Sequence, residues 1–175
     1  MTAPSPTLPA VRLQVLGAPV LQALIDLDLE AARRAAGVPL PADFLKDTWL
    51  WTLRLGQMIG EPQEREWLVR AVVAVDGPAG GEVVGHAGFH GAPDDRGMVE
   101  IGYRIVPAFR RRGYARAAVA ELLAYARTHG VRVARASISP GNAPSLRIAA
   151  LYGFTHVGEQ MDEIDGLELL FEREV

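Results

Sequence analysis

The sequence contains no cysteine, which excludes disulfides, thiolate-bound metals and a cysteine nucleophile. Lysine is almost absent as well, because Lys46 is the only one and every other strongly basic residue is arginine. The net charge of −3 gives no bulk attraction to nucleic acid, and no apolar run reaches the roughly 18 residues that a membrane span needs. The four histidines show no ligand spacing, so no metal site is predicted. We expect neither nucleic acid nor membrane as a partner.

What is present is the composition of an ordinary globular protein, with 49% hydrophobic and 22% charged residues. Residues 1–10 lack the basic start and apolar core of a signal peptide, and we interpret them as a flexible leader of a cytoplasmic protein. Residues 11–175 suit a single domain.

Apolar periodicity and turn residues predict the element order β-α-α-β-β-β-α-β-α-β-β, which is a mixed α/β arrangement of one sheet flanked by helices. No internal repeat is present, and no linker is long enough to divide domains. The predicted strands cover 11–16, 67–75, 83–90, 99–106, 131–138, 155–161 and 167–172, and the predicted helices cover about 18–36, 44–59, 114–129 and 145–152.

The most informative stretch is Val99–Arg116, with the sequence VEIGYRIVPAFRRRGYAR. It predicts a strand, a proline turn, three arginines, and then Gly113 at the start of a long helix. Backbone amides and the positive end of a helix dipole face an anion at such a junction, and arginine side chains add hydrogen bonds suited to phosphate. The stretch therefore favours a phosphate-binding loop.

The alternatives to this interpretation are weaker or stay open. A dinucleotide fingerprint needs G-x-G-x-x-G, and the glycine spacing here does not match it. A Walker loop needs a lysine that the stretch lacks, and a basic RNA patch would lack aromatic residues on neighbouring strands. A surface turn with solvated arginines remains an alternative from spacing alone.

The same stretch resembles the R/Q-x-x-G-x-G/A signature of the GNAT N-acetyltransferase superfamily, with Arg110, Gly113 and Ala115 at the defined positions. A second segment downstream, N-x-P-S-L-R followed by G-F, resembles the family's pantetheine-side segment and begins at Asn142. The strand VEIGYRIVP is most similar to the branch that acetylates the N-termini of ribosomal proteins. The resemblance implies a mostly antiparallel GNAT-like sheet.

The resemblance also implies acetyl-CoA as co-substrate and an amine as acceptor. The backbone of the loop would hold the CoA pyrophosphate, and the end of the strand would pair with the pantetheine arm like an added strand. The implied cofactor-binding residues are Tyr103, Arg104, Ile105, Arg110, Arg111, Arg112, Gly113, Tyr114, Ala115, Arg116, Asn142 and Ser145. A homodimer is compatible with this family.

The catalytic residues are harder to assign. Many relatives place a tyrosine acid four residues before the glycine of the G-F pair, and here that position is Ala149. The nearest hydroxyls to the expected sulfur are Ser139 and Ser145, each also suited to a turn or a helix cap. The CoA thiolate could instead leave unassisted.

Strand parity offers a candidate base. A regular hairpin around 92–97 places His90 opposite Glu100 and His86 opposite Arg104, all on one sheet face. Glu100 is the first candidate base and His90 the second, because a His–carboxylate pair can accept a proton from an ammonium group. The alternative is a cross-strand ion pair without a catalytic role.

The sequence therefore predicts an N-acetyltransferase acting on a primary amine, either a protein N-terminus or a small molecule. Because early helices shape the acceptor site in this fold, acceptor specificity is expected around Asp43–Trp51. Two alternatives stay open: a non-catalytic CoA-binding or regulatory module, which the Ala149 departure favours, and an interaction domain that uses its apolar early helices.

Overall fold

The computed structural model describes residues 7–164 and 166–175. Within the described residues the chain divides into two compact units. The first unit holds the residues up to Gly88 together with Tyr103–Glu121, and the second holds Phe89–Gly102 together with Leu122–Val175. The single domain expected over 11–175 stays a prediction, and residues 1–6 of the expected leader lie outside the described residues.

Across the described residues there are seven strands and five α-helices. The strands adopt the order β1-β2-β3-β4-β5-β7-β6, mostly antiparallel, with β4 and β5 parallel. The predicted fold class, a mixed and mostly antiparallel sheet with flanking helices, is confirmed. The elements are β1 Val11–Val15, α1 Ala18–Ile25, α2 Leu29–Ala36, α3 Thr48–Gly60, β2 Val69–Ala74, β3 Val83–Phe89, β4 Met98–Ile105, α4 Tyr114–Thr128, β5 Val133–Ile138, α5 Ala143–Leu151, β6 Thr155–Asp162 and β7 Gly166–Glu174.

In the first unit, the single helix expected over 18–36 is two helices. Leu27 takes a left-handed conformation with φ of +61°, which ends α1. Asp28 then caps α2, because its carboxylate accepts a hydrogen bond from the Ala31 amide at 2.8 Å. Gly37, with φ of +67°, ends α2 as the sequence indicated.

The core of the first unit lies between these early helices and strands β2 and β3. Every residue of β2 and of β3 is buried, which explains why both read as nearly continuous apolar runs. Trp51 on α3 is fully buried, and its indole nitrogen donates to the Phe44 carbonyl at 2.7 Å. The largest fully buried side chains of this core are Leu16, Leu21, Leu24, Leu40, Phe44, Trp51 and Leu68.

In the second unit, β5 pairs with β7 and β7 with β6, both antiparallel. The turn that leads into β4 is shaped by Asp94, whose carboxylate accepts hydrogen bonds from the Arg96 and Met98 amides at 2.9 Å each. Gly97 closes this turn with φ of +70°. The hairpin expected at 92–97 is thereby confirmed, and it fixes the register of the residues that flank it.

None of the described helices is both long and apolar enough to cross a bilayer.

Candidate active site

The loop between β4 and α4 has the backbone of an anion-binding turn. A short 3-10 turn over Pro107–Phe109 follows the strand, and the chain then passes through three arginines. Arg111 has φ of +62° and Gly113 has φ of +89°. A non-glycine residue in the left-handed region costs roughly 1–2 kcal/mol, so Arg111 marks local strain. Left-handed residues within such a turn point successive amides inward and form a concave anion site, here directly before the N-terminus of α4.

The arginine side chains of this loop contact the loop itself. The Arg110 Nε donates to the Ile105 carbonyl at 3.0 Å, which fixes the loop to the end of β4. The Arg112 guanidinium lies 5.8 Å from the centroid of the Phe109 ring, within cation–π range. Arg111 is exposed. We conclude that Arg110 and Arg112 have roles in shaping the loop, whether or not they also meet phosphate.

Gly113 is in contact with residues that precede β1. A Cβ built on Gly113 would lie 3.0 Å from the Pro9 Cδ and 3.9 Å from the Leu8 Cδ2. Position 113 therefore demands glycine for two reasons, its positive φ and its close approach to Pro9. No pattern in the sequence indicated this second reason.

Arg104, on the last part of β4, binds two carboxylates from the segment before α3. Its guanidinium pairs with Asp47 and lies 3.3 Å from the Asp43 Oδ2. Asp43 also holds Lys46 at 2.7 Å. The segment where acceptor specificity was expected is thus joined to β4 by its acidic side chains. The Arg104 guanidinium is occupied by these two carboxylates.

His86 lies buried beside Asp47. Its Nε2 is 3.5 Å from the Asp47 Oδ2, and its ring stands edge-on to Phe44 and Trp51, with centroids at 5.5 and 5.1 Å. Burial lowers the pKa of His86 below its ordinary value of 6.5, and the neighbouring Asp47 opposes this shift only in part. His86 is therefore held neutral.

For the pKa of His86 burial dominates, whereas for the pKa of Asp47 burial is outweighed by neighbouring groups. Burial raises its pKa, but the interaction with His86 and the positive charge of Arg104 outweigh burial and hold the pKa below the ordinary 3.8. Asp47 precedes the first residue of α3, yet its side chain forms no capping hydrogen bond to the helix. The carboxylate instead binds Arg104 of β4 and lies beside His86.

In the second unit, Glu100 lies at the centre of a polar cluster. The His90 amide donates to the Glu100 carbonyl at 2.9 Å, which confirms the predicted cross-strand pair. The His90 Nδ1 lies 3.4 Å from the Glu100 Oε1, and the Ser137 hydroxyl donates to that same oxygen at 2.7 Å. Sequence reasoning missed Ser137, since only the parallel register of β4 and β5 brings it to Glu100.

The parallel ladder between β4 and β5 is short. It joins Met98, Val99 and Glu100 to Val133, Ala134 and Arg135, and no further pairs follow in the described residues. Strand β4 nevertheless continues to Ile105. A ladder that ends while its strand continues leaves backbone groups that another extended chain can pair with.

The downstream segment forms the start of α5. Asn142 caps this helix, because its Oδ1 accepts from the Ser145 amide at 3.2 Å. Ser139 lies in the preceding turn, where its carbonyl accepts from the Asn142 amide at 2.9 Å. Ala149 is buried within α5, so the position that holds a tyrosine in many relatives carries no proton donor here. Asn142 is exposed and keeps its amide NH₂ available to a ligand.

Within residues 7–164 and 166–175, no group of three or more histidines and carboxylates could hold a metal ion.

Comparison with protein families gives a match to the acetyltransferase (GNAT) domain model over residues 20–155. No curated protein sequence matches the chain. Among solved structures, a GnaT-family acetyltransferase from Bordetella pertussis, described as putative, is 25% identical, with a TM-score of 0.61 over 93% of this chain and 94% of that one.

Two other solved structures illustrate the range of acceptors on this fold. The ribosomal-protein-S5-alanine acetyltransferase from Vibrio fischeri is 14% identical, with a TM-score of 0.64 over 94% of this chain and 92% of that one. The phosphinothricin acetyltransferase from Sinorhizobium meliloti, solved with acetyl-CoA, is 20% identical, with a TM-score of 0.58 over 94% and 88%. At these identities the likeness shows the fold alone.

Proposed function

This chain belongs to the acetyltransferase (GNAT) domain family and is an acetyl-CoA-dependent acetyltransferase, and from that premise we propose that its acceptor is a primary amine. The acceptor class covers protein N-termini and small-molecule amines, and the neighbouring folds include enzymes named for each kind. Because acetyl-CoA is an intracellular metabolite, the proposed reaction takes place in the cytoplasm. The homodimer stays a prediction.

The proposal that this chain binds CoA rests on the backbone conformation of the loop before α4. Its two left-handed residues, Arg111 and Gly113, precede a 15-residue helix, and this is the arrangement in which amides and helix dipole together bind a pyrophosphate. The amides of 111–116 would hold that group. Tyr114 and Ala115 would contribute backbone only, and Tyr114 is itself buried.

The pantetheine arm would pair with the end of β4, at Tyr103–Ile105. Support comes from the short ladder to β5, which ends at Glu100 while β4 continues. The pairing groups would be those of Tyr103 and Ile105, since the Arg104 side chain is bound to Asp43 and Asp47 and its carbonyl faces Gly85 on β3. The Asn142 amide NH₂ would donate to the pantetheine or adenosine side, with Ser145 beside it.

The chemistry would be direct transfer. The nitrogen of a neutral amine forms a bond to the thioester carbon, and the carbon–sulfur bond breaks with its electron pair passing to sulfur. The proton that the nitrogen loses on becoming an amide passes to the departing CoA thiolate or to water. A backbone amide near Ile105 would stabilise the developing oxyanion. Glu100 would take the proton from the ammonium form of the acceptor, oriented by the hydroxyl of Ser137 and flanked by His90.

No side chain is required to protonate the thiolate, because a thiol of modest pKa can leave without help. Ser139 is the remaining candidate acid. The buried Ala149 is the specific observation that favours the second candidate function, a CoA-binding or regulatory module without turnover.

The test is amine-dependent release of CoA thiol from acetyl-CoA, followed across protein N-terminal peptides and small amines. Glu100→Gln preserves the hydrogen bond from Ser137 but removes the base, and we expect the turnover rate to fall by about 10²–10⁴-fold. The matched control is Glu159→Gln on β6, an exposed residue whose change should leave the rate unaltered. An unchanged rate in Glu100→Gln would exclude Glu100 as the base.

Acetyl-CoA binding without any amine-dependent release would instead favour the non-catalytic module.

A further inference from the structure

Ala10, which follows Pro9 and precedes β1, is held by two hydrogen bonds. The Ala10 carbonyl accepts a hydrogen bond from the Val75 amide at 2.9 Å, and the Ala10 amide donates to the Asp76 Oδ1 at 3.3 Å. Both partners directly follow β2, and β2 pairs with every residue of β1. Pro9 and Leu8 are half-buried. Their position is therefore set by the sheet.

These two residues pack on the one glycine of the loop. The Pro9 Cδ and Cγ would lie 3.0 and 3.6 Å from a Cβ on Gly113, and the Leu8 Cδ2 would lie 3.9 Å from it. The Pro9 ring thus covers the side of the Gly113 Cα on which a side chain would stand.

We infer that Leu8 and Pro9 are positioning residues for the cofactor loop: by packing on Gly113 they hold the backbone in the conformation that binds pyrophosphate. The inference rests on the proposed function of the loop. It assigns a role to residues outside the family signature, in a segment that the sequence indicated only as a leader.

The physical reason is preorganisation. The conformation of the loop includes a strained residue, Arg111, and a glycine that can adopt many backbone conformations when nothing restrains it. Proline is a suited restraint because its own ring fixes its φ. Restraint before binding removes an ordering cost that the ligand would otherwise have to offset, so affinity rises without a new contact to the ligand.

The experiment compares Pro9→Gly with the wild type in binding CoA, measured by isothermal titration calorimetry. We expect the Kd for CoA to rise by about three- to tenfold. Donor assays with acetyl-pantetheine, which lacks the pyrophosphate, should give the same kcat/KM for both proteins. The matched control is Pro78→Gly, an exposed proline of the loop between β2 and β3, which should bind CoA as the wild type does.

Substitution of Gly113 itself would not separate the two reasons for glycine, because a side chain there is strained by φ and also meets Pro9. Pro9→Gly avoids this, and Leu8→Ala provides a second variant in case the first does not fold.

The outcomes are distinct. Wild-type protein that does not bind CoA would overturn the proposed function of the loop and the inference with it. Wild-type protein that binds CoA, with both variants unchanged, would overturn the inference alone. A lower Kd in the variants would also overturn it, since Leu8 and Pro9 would then be competing with the ligand. Equal losses with CoA and acetyl-pantetheine would show general damage to the fold and would contradict a role at the pyrophosphate.

Discussion

The buried His86 predicts a specific loss of stability in mild acid. Its pKa in the folded protein is lowered by burial, below the 6.5 that it has in an unfolded chain. The stability due to neutral His86 is therefore fully present above pH 6.5. It is lost as the pH falls below that value, because the unfolded chain then binds a proton that the folded protein does not.

The magnitude follows from linkage. Between about pH 7.5 and about pH 5.5, one histidine of ordinary pKa goes from mostly neutral to mostly charged in the unfolded chain. If His86 stays neutral in the folded protein, the free energy of unfolding falls by about 1.4 kcal/mol. For a chain of this length that corresponds to about 3–6 °C in Tm. Asp47 adds to this loss only at lower pH, as the pH falls below its ordinary pKa of 3.8 toward its lowered pKa in the folded protein.

The assay is urea denaturation at both pH values for the wild type and for His86→Gln, which keeps a donor toward Asp47 and does not titrate. The variant should lack the His86 share of the acid-induced loss, which is at most about 1.4 kcal/mol, whatever its absolute stability. His156→Gln on the exposed strand β6 is the matched control and should lose as much as the wild type. An equal loss in His86→Gln and the wild type would refute the argument that His86 is held neutral.

Two further predictions concern packing. Gly85→Ala should destabilise the protein, because a Cβ at Gly85 would lie 2.2 Å from the Arg104 carbonyl oxygen. Gly56→Ala should instead stabilise it by about 0.5–1 kcal/mol, because Gly56 lies on the exposed face of α3 and a Cβ there would meet nothing within 4 Å. Thermal denaturation of the two variants should show shifts of opposite sign, and shifts of the same sign would contradict the account. Trp51→Ala should cost about 3–5 kcal/mol, since the side chain is fully buried, while Trp49→Ala, 54% exposed, should change the free energy of unfolding by about 0.5 kcal/mol or less. Similar costs in urea denaturation would show that this tryptophan assignment is wrong.

The sequence was most informative where structure depends on local periodicity. The hairpin at 92–97 has its turn chemistry within the turn itself, so the pairing of His90 with Glu100 could be predicted from strand parity. The family membership followed in the same way, because the loop signature around Gly113 and the downstream segment at Asn142 are both short and contiguous.

Contacts between distant parts of the chain could not be predicted. The hydrogen bond from Ser137 to Glu100 depends on the parallel register of β4 and β5, which no local pattern encodes. The pairing of Arg104 with Asp43 and Asp47 depends on where the segment before α3 lies. Even the break at Leu27 was missed, since leucine is a good helix former and its left-handed conformation arises from the tertiary fold.

The central claim is acetyl transfer from acetyl-CoA to an amine. The most direct measurement is mass spectrometry of the acceptor after incubation with the protein and acetyl-CoA, together with a count of the CoA thiol released. The account predicts acetylated amine and free thiol in equal amounts, both dependent on the protein. Tight binding of acetyl-CoA with no acetylated product across peptide and small-amine acceptors would contradict it.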